Sequence, residues 1–269
     1  MRQFTSFNPE VFSSATAYER LTGRWSLRLA HLFVEFVRPQ PAGRTLDVGC
    51  GTGSMVQAIL DKHPRNEIVG IDLSSNFVEY SRARFPGARV TFDCGSALDL
   101  PYPDDSFDQT VSLLVLQFLA DAARAASEMR RVTRPGGVVA ACTWDAVGNE
   151  RVHVFWQEQL RLDPEAEAHV ERPRHYTRQG ELARLWSETG LLDVAETMLG
   201  FRTDFNSFED YWQPFLEGVG PIGTYVANLP REKRDALEDA LRRRLLGERG
   251  NGLISLNARA WAVRGTVPC

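Results

Sequence analysis

The sequence predicts an α/β protein whose helices cover both faces of a mostly parallel, doubly wound sheet. Three observations lead to this prediction. Apolar segments of strand length alternate with helical segments across residues 44–143, which is the pattern of successive β-α-β units. Residues 45–54 (TLDVGCGTGS) place an acid and three alternate glycines where a strand passes into a helix. A second acid, Asp72, ends the next strand, as at many nucleotide-type sites.

The first half of the chain is divided into elements by its apolar periodicity and its turn residues. An amphipathic helix is predicted at 24–37, where Trp25, Leu29 and Phe33 share a stripe. The other predicted helices lie at 52–62, 75–84 and 121–133. Strands are predicted at 44–48, 67–71, 89–92, 107–115 and 138–143, with a turn at 134–137 before the last of them.

The second half of the chain has a different organisation. A helix is expected around 153–162, and Thr177 is the expected N-cap of a helix at 178–188 that has Gly190 as its C′ residue. Strands at 193–205 and 253–267 enclose an insertion with two helical segments, one rich in aromatic residues and one at 230–246. We therefore expect an N-terminal helical cap at 1–41, a binding domain at 42–204 and 251–269, and a helical lid at 205–250.

Composition limits the class of protein. Apolar residues make up 43% and charged residues 25% of the 269 residues, as in soluble globular proteins. The net charge of −4 and the pI near 5.8 do not favour a nucleic-acid-binding surface. No signal-peptide core and no apolar run of membrane-spanning length is present, so we expect a cytoplasmic protein that binds neither membrane nor nucleic acid. The only lysines are Lys62 and Lys233, an arginine bias that fits a GC-rich bacterial gene.

The cysteines give no evidence of a metal site. All four are scattered and none forms a C-x-x-C pair, so neither zinc nor a disulfide framework is expected.

The glycines between the first predicted strand and the following helix allow a tight turn and a close approach of the backbone to a ligand. Without a Cβ the turn can tighten and its backbone can approach a ligand, at which the following helix directs its free N–H groups. Asp47 lies inside the strand, where a nicotinamide site usually carries an apolar residue. Asp72 follows Gly49 by twenty-three residues and can accept hydrogen bonds from both ribose hydroxyls. The spacing alone does not separate NAD from other adenosine cofactors.

Four ordered segments resemble motifs of the class I S-adenosylmethionine-dependent methyltransferases, in particular the small-molecule type related to the ubiquinone and menaquinone biosynthesis methyltransferases. They are 46–53 (LDVGCGTG), 70–74 (GIDLS), 95–108 (GSALDLPYPDDSFD) and 128–137 (EMRRVTRPGG). The resemblance covers about 18–143 well and 176–193 moderately. It implies a Rossmann-like, seven-stranded, mostly parallel sheet with an antiparallel edge strand, and S-adenosyl-L-methionine as the cofactor.

The resemblance also implies cofactor contacts around the first two strands. Gly49 and Gly51 line the methionine moiety, and Asp47 contacts its amino group directly or through water. Asp72 binds the ribose hydroxyls, and Leu73 packs on the adenine.

Further implied contacts come from other parts of the chain. Tyr18 and Arg24 match an N-terminal segment that in such enzymes often closes over the methionine carboxylate, with ordinary helix packing as the alternative. The contacts implied at the ends of the third and fourth strands are Ser96, Ala97 and Leu98 beside the adenine, and Ser112 and Leu113 near the sulfonium.

Two positions depart from the family pattern. The family commonly has Gly-Asp-Ala where residues 95–97 read Gly-Ser-Ala, so Ser96 offers the adenine amino group an acceptor without a negative charge. Asp93 and Asp99 are alternative acceptors. Gln117, which we also expect at the cofactor site, stands where related sequences often have histidine. An amide cannot be a general base, but it can orient a substrate or water.

Transfer of a methyl group from a sulfonium is an in-line displacement, so the protein mainly positions the acceptor and excludes water. A hydroxyl acceptor also needs a base. The candidates beyond the fifth strand are His153, His175, Asp145 and Glu150, and the sequence assigns the catalytic role to none of them.

The acceptor class follows from what surrounds the fourth strand and the lid. The Asp/Asn-Pro-Pro-Tyr/Phe element of methyltransferases that act on exocyclic base amines or glutamine amides is absent after the fourth strand. Aromatic residues, with Trp144, Tyr211 and Trp212 as expected substrate contacts, indicate a small apolar or aromatic acceptor methylated at oxygen or an activated carbon. Packing of the lid onto the sheet is the alternative interpretation of these aromatic residues.

Two other functions are kept open. Ser96 and Gln117 are compatible with a non-catalytic regulatory or interaction protein that binds S-adenosylmethionine. The glycine motif by itself is compatible with a nicotinamide oxidoreductase.

Overall fold

The computed structural model describes residues 14–164 and 175–269, and a seven-stranded sheet runs through them. The strands are β1 (Arg44–Val48), β2 (Glu67–Asp72), β3 (Val90–Cys94), β4 (Phe107–Leu113), β5 (Thr133–Trp144), β6 (Leu192–Phe205) and β7 (Ile254–Thr266). Their order across the sheet is β3-β2-β1-β4-β5-β7-β6. The predicted doubly wound, Rossmann-like fold is confirmed.

Strands β1 to β5 pair in parallel, whereas β7 runs antiparallel to both of its neighbours. The antiparallel strand therefore lies one position inside the edge, between β5 and the edge strand β6. From β1 the chain passes outward to β2 and β3, and it then returns to β4 on the other side of β1. This reversal makes the carboxyl end of β1 the switch point of the sheet.

The helices lie before, between and after these strands. They are α1 (Ala15–Tyr18), α2 (Arg24–Val37), α3 (Ser54–Lys62), α4 (Ser75–Arg84), α5 (Ala122–Val132), α6 (Glu150–Leu162), α7 (Glu181–Glu188), α8 (Phe208–Trp212), α9 (Gly220–Ala227) and α10 (Arg231–Leu246). A π-helical turn, Glu19–Gly23, joins α1 to α2. None of the helices in the described ranges is long and apolar enough to cross a bilayer.

Two hydrophobic cores cover the two faces of the sheet. Alternate residues of β5 face opposite cores, because successive side chains of a strand point to opposite sides. Cys142 packs with Phe33 of α2 on one face, and Ala141 packs with Met129 of α5 and Trp186 of α7 on the other. Because both faces are covered, β4 and the second half of β5 are almost fully buried, and the buried polar side chains of β4 are hydrogen-bonded, as Gln109 is to Thr45.

A third core joins α6 and the N-terminal helices to residues 206–253, the segment between β6 and β7 that we call the insertion. Its buried side chains include Trp25 of α2, Phe155 of α6 and Trp212 of α8. Trp25 meets Phe205 edge-on with 5.3 Å between ring centroids. The insertion is therefore packed against the N-terminal helices, α6 and the end of β6.

Three local predictions differ from the structure, and each has a physical reason. The predicted turn at 134–137 is part of β5, because the Gly136 N–H donates to the Val267 carbonyl at 3.0 Å. Helix α7 begins at Glu181 with Gly180 as its N-cap, since the Glu181 carboxylate accepts from the Thr177 N–H and holds that segment in a turn. The insertion contains a third helix, α9, which begins with a glycine.

Other predictions match the structure closely. Helix α2 has the predicted bounds, and Gly190 adopts the left-handed conformation expected at C′, with φ 79°. The first thirteen residues of the predicted N-terminal cap lie outside the described residues.

Candidate cofactor and acceptor site

A cavity of about 540 Å³ opens at the carboxyl edge of the parallel strands, within the size range of small-molecule sites. Its wall is formed by the ends of β1, β2, β4 and β5, by the segment around α1, by α6 and by the insertion. The predicted site residues on this wall are Tyr18, Gly49, Gly51, Asp72, Leu73, Ser96, Ala97, Leu98, Leu113, Gln117 and Trp144.

The turn after β1 is built by glycines in the left-handed conformation. Gly49, Gly51 and Gly53 have φ angles of 73°, 51° and 86°. A Cβ on Gly49 would lie 2.3 Å from a methyl group of Val115, so this position has no room for a side chain. A Cβ on Gly51 would meet no atom within 4 Å, which leaves the Gly51 backbone open to a ligand.

Asp72 orders this glycine corner from the end of β2. One carboxylate oxygen accepts from the Gly51 N–H at 2.9 Å, and the other accepts from the Ser74 N–H at 2.9 Å. Burial raises the pKa of Asp72, while these backbone hydrogen bonds lower it. Each oxygen retains acceptor capacity toward the cavity, so the residue can hold the corner and a pair of sugar hydroxyls together.

Asp47 is the most unusual polar group of the site. It is 1% exposed, and neither carboxylate oxygen has a hydrogen-bond partner among the described residues. Burial raises its pKa to about 8, with repulsion from Asp72 as the second cause. Asp47 lines a second, small cavity of about 30 Å³ that also touches Tyr18 and the first turn of α3.

The surroundings of Asp47 indicate which cofactor the residues of the site fit. A buried acid without a partner is costly unless a cation or a strong donor reaches it. The amino group of a methionine tail supplies both, and the α3 N-terminus offers N–H groups to the carboxylate of the same tail. A nicotinamide dinucleotide has no such ammonium group. The residues present therefore fit S-adenosylmethionine.

The wall around Leu73 and Ser96, where the resemblance implies the adenine, is apolar and has one weak acceptor. Leu73 is 54% exposed and lies on the cavity wall, where it can pack on a flat ring. The Ser96 hydroxyl oxygen accepts from the Leu98 N–H at 3.1 Å. Asp93 accepts from the Tyr102 hydroxyl at 2.7 Å, and Asp99 is exposed. Neither of these two acids lies on the cavity wall, so they do not replace the missing family carboxylate.

Ser112 and Arg24 are placed differently from what the resemblance implies. The Ser112 side chain is fully buried and donates to the Val48 carbonyl at 2.9 Å, so it joins β4 to β1 and does not face the cavity. Arg24 makes two hydrogen bonds to Asp210, at 2.9 and 3.2 Å, and its guanidinium lies over the Trp25 ring at 4.4 Å. The structure gives Arg24 the packing role, because Asp210 of the insertion draws its side chain away from the cavity.

Tyr211 and Trp212 are also placed away from the cavity wall. Each is 1% exposed inside the core of the insertion, and the Tyr211 hydroxyl donates to the Arg151 carbonyl at 3.1 Å. They are drawn inward because α8 is short and buries its aromatic face against α6 and β6. Trp156, Phe215 and Ile222 line the cavity instead.

Trp156 and Ile222 are not among the residues that the sequence predicts for the acceptor side, whereas Phe215 belongs to the aromatic-rich segment of the insertion that indicated an apolar acceptor. Trp156 follows Asn149, Val152 and His153 at helical spacing, so the lining face of α6 had a detectable signal. Ile222 had none, since its place on the wall depends on how the insertion folds back.

Gln117 and Trp144 lie together at the far end of the cavity. The Gln117 side-chain oxygen accepts from the Trp144 N–H at 2.9 Å. Because a backbone N–H requires an acceptor, this bond fixes the orientation of the amide and leaves its NH₂ group as a donor.

Two of the four candidate bases lie on the cavity wall. His153 lines the cavity, with its Nε2 2.7 Å from the Gln157 side-chain nitrogen. Asp145 lines it as well, but its carboxylate is 3.2 Å from Arg259 and accepts from the Val147 N–H. Glu150 accepts two hydrogen bonds from Asn257, and neither Glu150 nor His175 is on the wall. Across residues 14–164 and 175–269, no group of His, Cys, Asp and Glu side chains could hold a metal ion.

The strand order, the glycine corner and the two acids define a protein that binds an adenosine cofactor with an amino-acid tail. Residues 46–141 match the family described as Methyltransferase domain. The chain is 30% identical over 204 residues to the demethylmenaquinone methyltransferase of Roseiflexus castenholzii, which covers 69% of this chain and 85% of that one. The chain belongs to the class I S-adenosylmethionine-dependent methyltransferases, and S-adenosylmethionine is its cofactor.

Two further similarities agree with this family. The malonyl-[acyl-carrier protein] O-methyltransferase of Halorhodospira halophila is 34% identical over 143 residues, which is 53% of this chain and 47% of that one. The structure of the Haemonchus contortus phosphoethanolamine N-methyltransferase 2, in complex with phosphomonomethylethanolamine and S-adenosylhomocysteine, superposes with a TM-score of 0.60 at 18% identity. It covers 95% of this chain and 57% of that one, and at this identity the likeness shows the fold alone.

Proposed function

We propose that this methyltransferase acts on a small apolar or aromatic molecule, at oxygen or at an activated carbon. The observation that carries the proposal is the extension of the cavity beyond the glycine corner. That extension is lined by Trp144, Trp156, Phe215 and Ile222, and a wall of this kind takes flat or apolar groups.

The reaction mainly requires positioning. S-adenosylmethionine supplies a methyl group that its sulfonium has already activated. Asp47 would hold the amino end of the cofactor, Asp72 would hold the sugar, and Leu73 would pack on the adenine. The wall beside Trp144 would then orient the acceptor toward the methyl group for an in-line displacement. The aromatic wall excludes water from this approach.

Proton removal from a hydroxyl acceptor is assigned to His153. Its imidazole lies on the wall and is bonded by the neutral amide of the exposed Gln157, which an acceptor hydroxyl can displace, whereas the Asp145 carboxylate is held by the charged Arg259 and by the Val147 N–H. The amide NH₂ of Gln117 is directed by the bond to Trp144 and serves as a donor to an acceptor oxygen. An acceptor that reacts at carbon through an enolate needs the same two contacts, a base and a donor.

The names of the relatives support both kinds of acceptor atom. One curated relative, from Geobacter sulfurreducens, is a ubiquinone/menaquinone biosynthesis C-methyltransferase, and another is an O-methyltransferase. A binding-only protein is the alternative, and it predicts a blocked acceptor cavity. The open apolar extension argues against that alternative.

The test uses turnover with matched acceptors. The purified protein is incubated with S-adenosylmethionine and a panel of phenols, catechols, hydroquinones and 1,3-dicarbonyl compounds, and S-adenosylhomocysteine and the methylated products are identified by mass spectrometry. We expect at least one O- or C-methylated product. His153→Gln should lower turnover of a hydroxyl acceptor, whereas His31→Gln, an exposed histidine paired with Asp61 on the outer surface, should not. Tight binding of S-adenosylhomocysteine with no product across the panel would contradict the proposal.

A further inference from the structure

A buried arginine lies on the acceptor side of the cavity. Arg151 is the second residue of α6, lines the cavity and is 8% exposed. Its Nη1 donates to the Leu21 carbonyl at 2.7 Å. A guanidinium has five N–H donors in a planar fork, so this one bond leaves most of its donor capacity unused.

No carboxylate of the described residues neutralises the charge of Arg151. Within the described ranges, no carboxylate oxygen lies within the 4.0 Å of an ion pair with its guanidinium. Burial lowers its pKa to about 10, and the other groups that act on it are Tyr211, Arg24 and Tyr18. The side chain is still cationic at neutral pH. A buried cation without an anion is a costly arrangement, which an anionic ligand would relieve.

The start of α6 adds to the positive potential at this point. Asn149, the N-cap residue, also lines the cavity, and its side chain makes no capping hydrogen bond. The first N–H groups of α6 therefore keep their partial positive charge. Glu150, the acid of the first turn, is held by Asn257 on the other side and does not reach the cavity.

The cofactor has a different place for its own carboxylate. The methionine end belongs to the small cavity around Asp47, which is lined by Thr52, Ser54 and the α3 N-terminus. Arg151 does not line that cavity. On the wall of the larger cavity it lies beside Val152 of α6 and beside Leu21, whose carbonyl it binds, and Tyr18, which touches both cavities, also acts on its charge.

We propose that Arg151 binds a carboxylate carried by the methyl acceptor, so that the substrate is a small apolar or aromatic carboxylic acid. This inference rests on the proposed function and adds the charge of the substrate to it. A carboxylate held by a guanidinium loses nucleophilicity, so Arg151 anchors this group while another oxygen or carbon of the acceptor receives the methyl group. The surrounding Trp156, Phe215 and Ile222 strengthen the ion pair by excluding water.

The test measures charge preference at the acceptor side. The wild-type protein, Arg151→Gln and Arg151→Lys are saturated with S-adenosylhomocysteine and titrated calorimetrically with three isosteric pairs: 4-hydroxybenzoate and its amide, 2-naphthoate and its amide, and octanoate and its amide. The control is Arg28→Gln, which also loses an arginine bond to a backbone carbonyl, that of Arg202, but on the outer surface.

We expect the wild type and Arg28→Gln to bind at least one acid about ten- to a hundredfold more tightly than its amide, the range for a hydrogen-bonded charge. Arg151→Gln should lose this preference, and Arg151→Lys should keep part of it. Should Arg151→Gln fail to fold, a reduced preference in Arg151→Lys carries the same conclusion.

Three results would overturn the inference while leaving the proposed function intact. In the first, the wild type shows no acid preference in any pair; in the second, Arg151→Gln keeps the full preference. In the third, Arg151→Gln weakens the binding of S-adenosylhomocysteine about tenfold but leaves the binding of 5′-methylthioadenosine, which lacks the carboxylate, unchanged. That last result would assign Arg151 to the cofactor. Failure of the wild type to bind S-adenosylhomocysteine would instead refute the site as a whole.

Discussion

Replacing Asp47 with asparagine should stabilise the ligand-free protein and weaken its hold on the cofactor. Asp47 is buried without a hydrogen-bond partner among the described residues, and its pKa is raised from 3.8 to about 8. The folded protein therefore keeps a proton on this carboxyl that the unfolded chain releases. The contribution of Asp47 to stability is complete below about pH 4 and is lost as the pH rises toward 8.

The size of the effect follows from this shift in pKa. Each pKa unit corresponds to about 1.36 kcal/mol, so at pH 7 the raised pKa of Asp47 costs the folded protein at most about 4 kcal/mol. An amide has no such titration. We expect Asp47→Asn to match the wild type near pH 4 and to exceed it by a few kcal/mol in unfolding free energy near pH 8.

The assay is urea unfolding of both proteins at intervals between pH 4 and pH 8, with Asp99→Asn as the control at an exposed carboxyl beyond the cavity wall. Binding of S-adenosylhomocysteine is measured on the same samples. The wild type should bind more tightly as Asp47 ionises, and Asp47→Asn should bind at least about tenfold more weakly at pH 8. A constant stability difference between wild type and Asp47→Asn across this pH range would refute the reasoning.

Three further predictions concern the corner and the wall. Asp72→Ala should lose most of the affinity for S-adenosylhomocysteine, about a hundredfold by calorimetry, because the sugar contacts and the bond to the Gly51 N–H go together; an unchanged Kd would remove Asp72 from the site. Gly51→Ala should cost about 1 kcal/mol in unfolding free energy, since φ at this position is 51°. It should also weaken binding of the cofactor, because the new methyl group occupies the open space beside the backbone of residue 51. Tight binding by this variant would show that the Gly51 backbone does not contact the cofactor. Trp212→Ala should lower the unfolding free energy by about 3–5 kcal/mol in urea titrations while leaving the Kd of S-adenosylhomocysteine unchanged, because Trp212 is buried in the insertion; a lost affinity with normal stability would place it at the site after all.

The positions of the glycine corner and its two acids could be predicted because their signals are local. A strand end, a positive φ angle and a turn into a helix depend on a few consecutive residues, and Gly49, Gly51, Asp47 and Asp72 carry these signals by themselves. The alternation of strands and helices then determines that parallel strands end at one edge, which brings the acids of β1 and β2 together.

The residues that line the acceptor side could not be predicted in the same way, because they are selected by contacts between residues far apart in the chain. Tyr211 and Trp212 have the same aromatic character as Trp156 and Phe215, and all four are buried in one core, yet only the second pair also touches the cavity wall. No periodicity distinguishes the two pairs, because the choice between core and cavity is made by the fold of the insertion.

The sequence by itself determined the fold class, the cofactor corner and the acids beside it, since backbone conformation and strand order encode them locally. Only the tertiary structure showed that Asp210 takes Arg24 away from the site and that Arg151 has no carboxylate partner among the described residues. Whether a charged side chain is paired depends on which distant side chains reach it, and that is settled by packing.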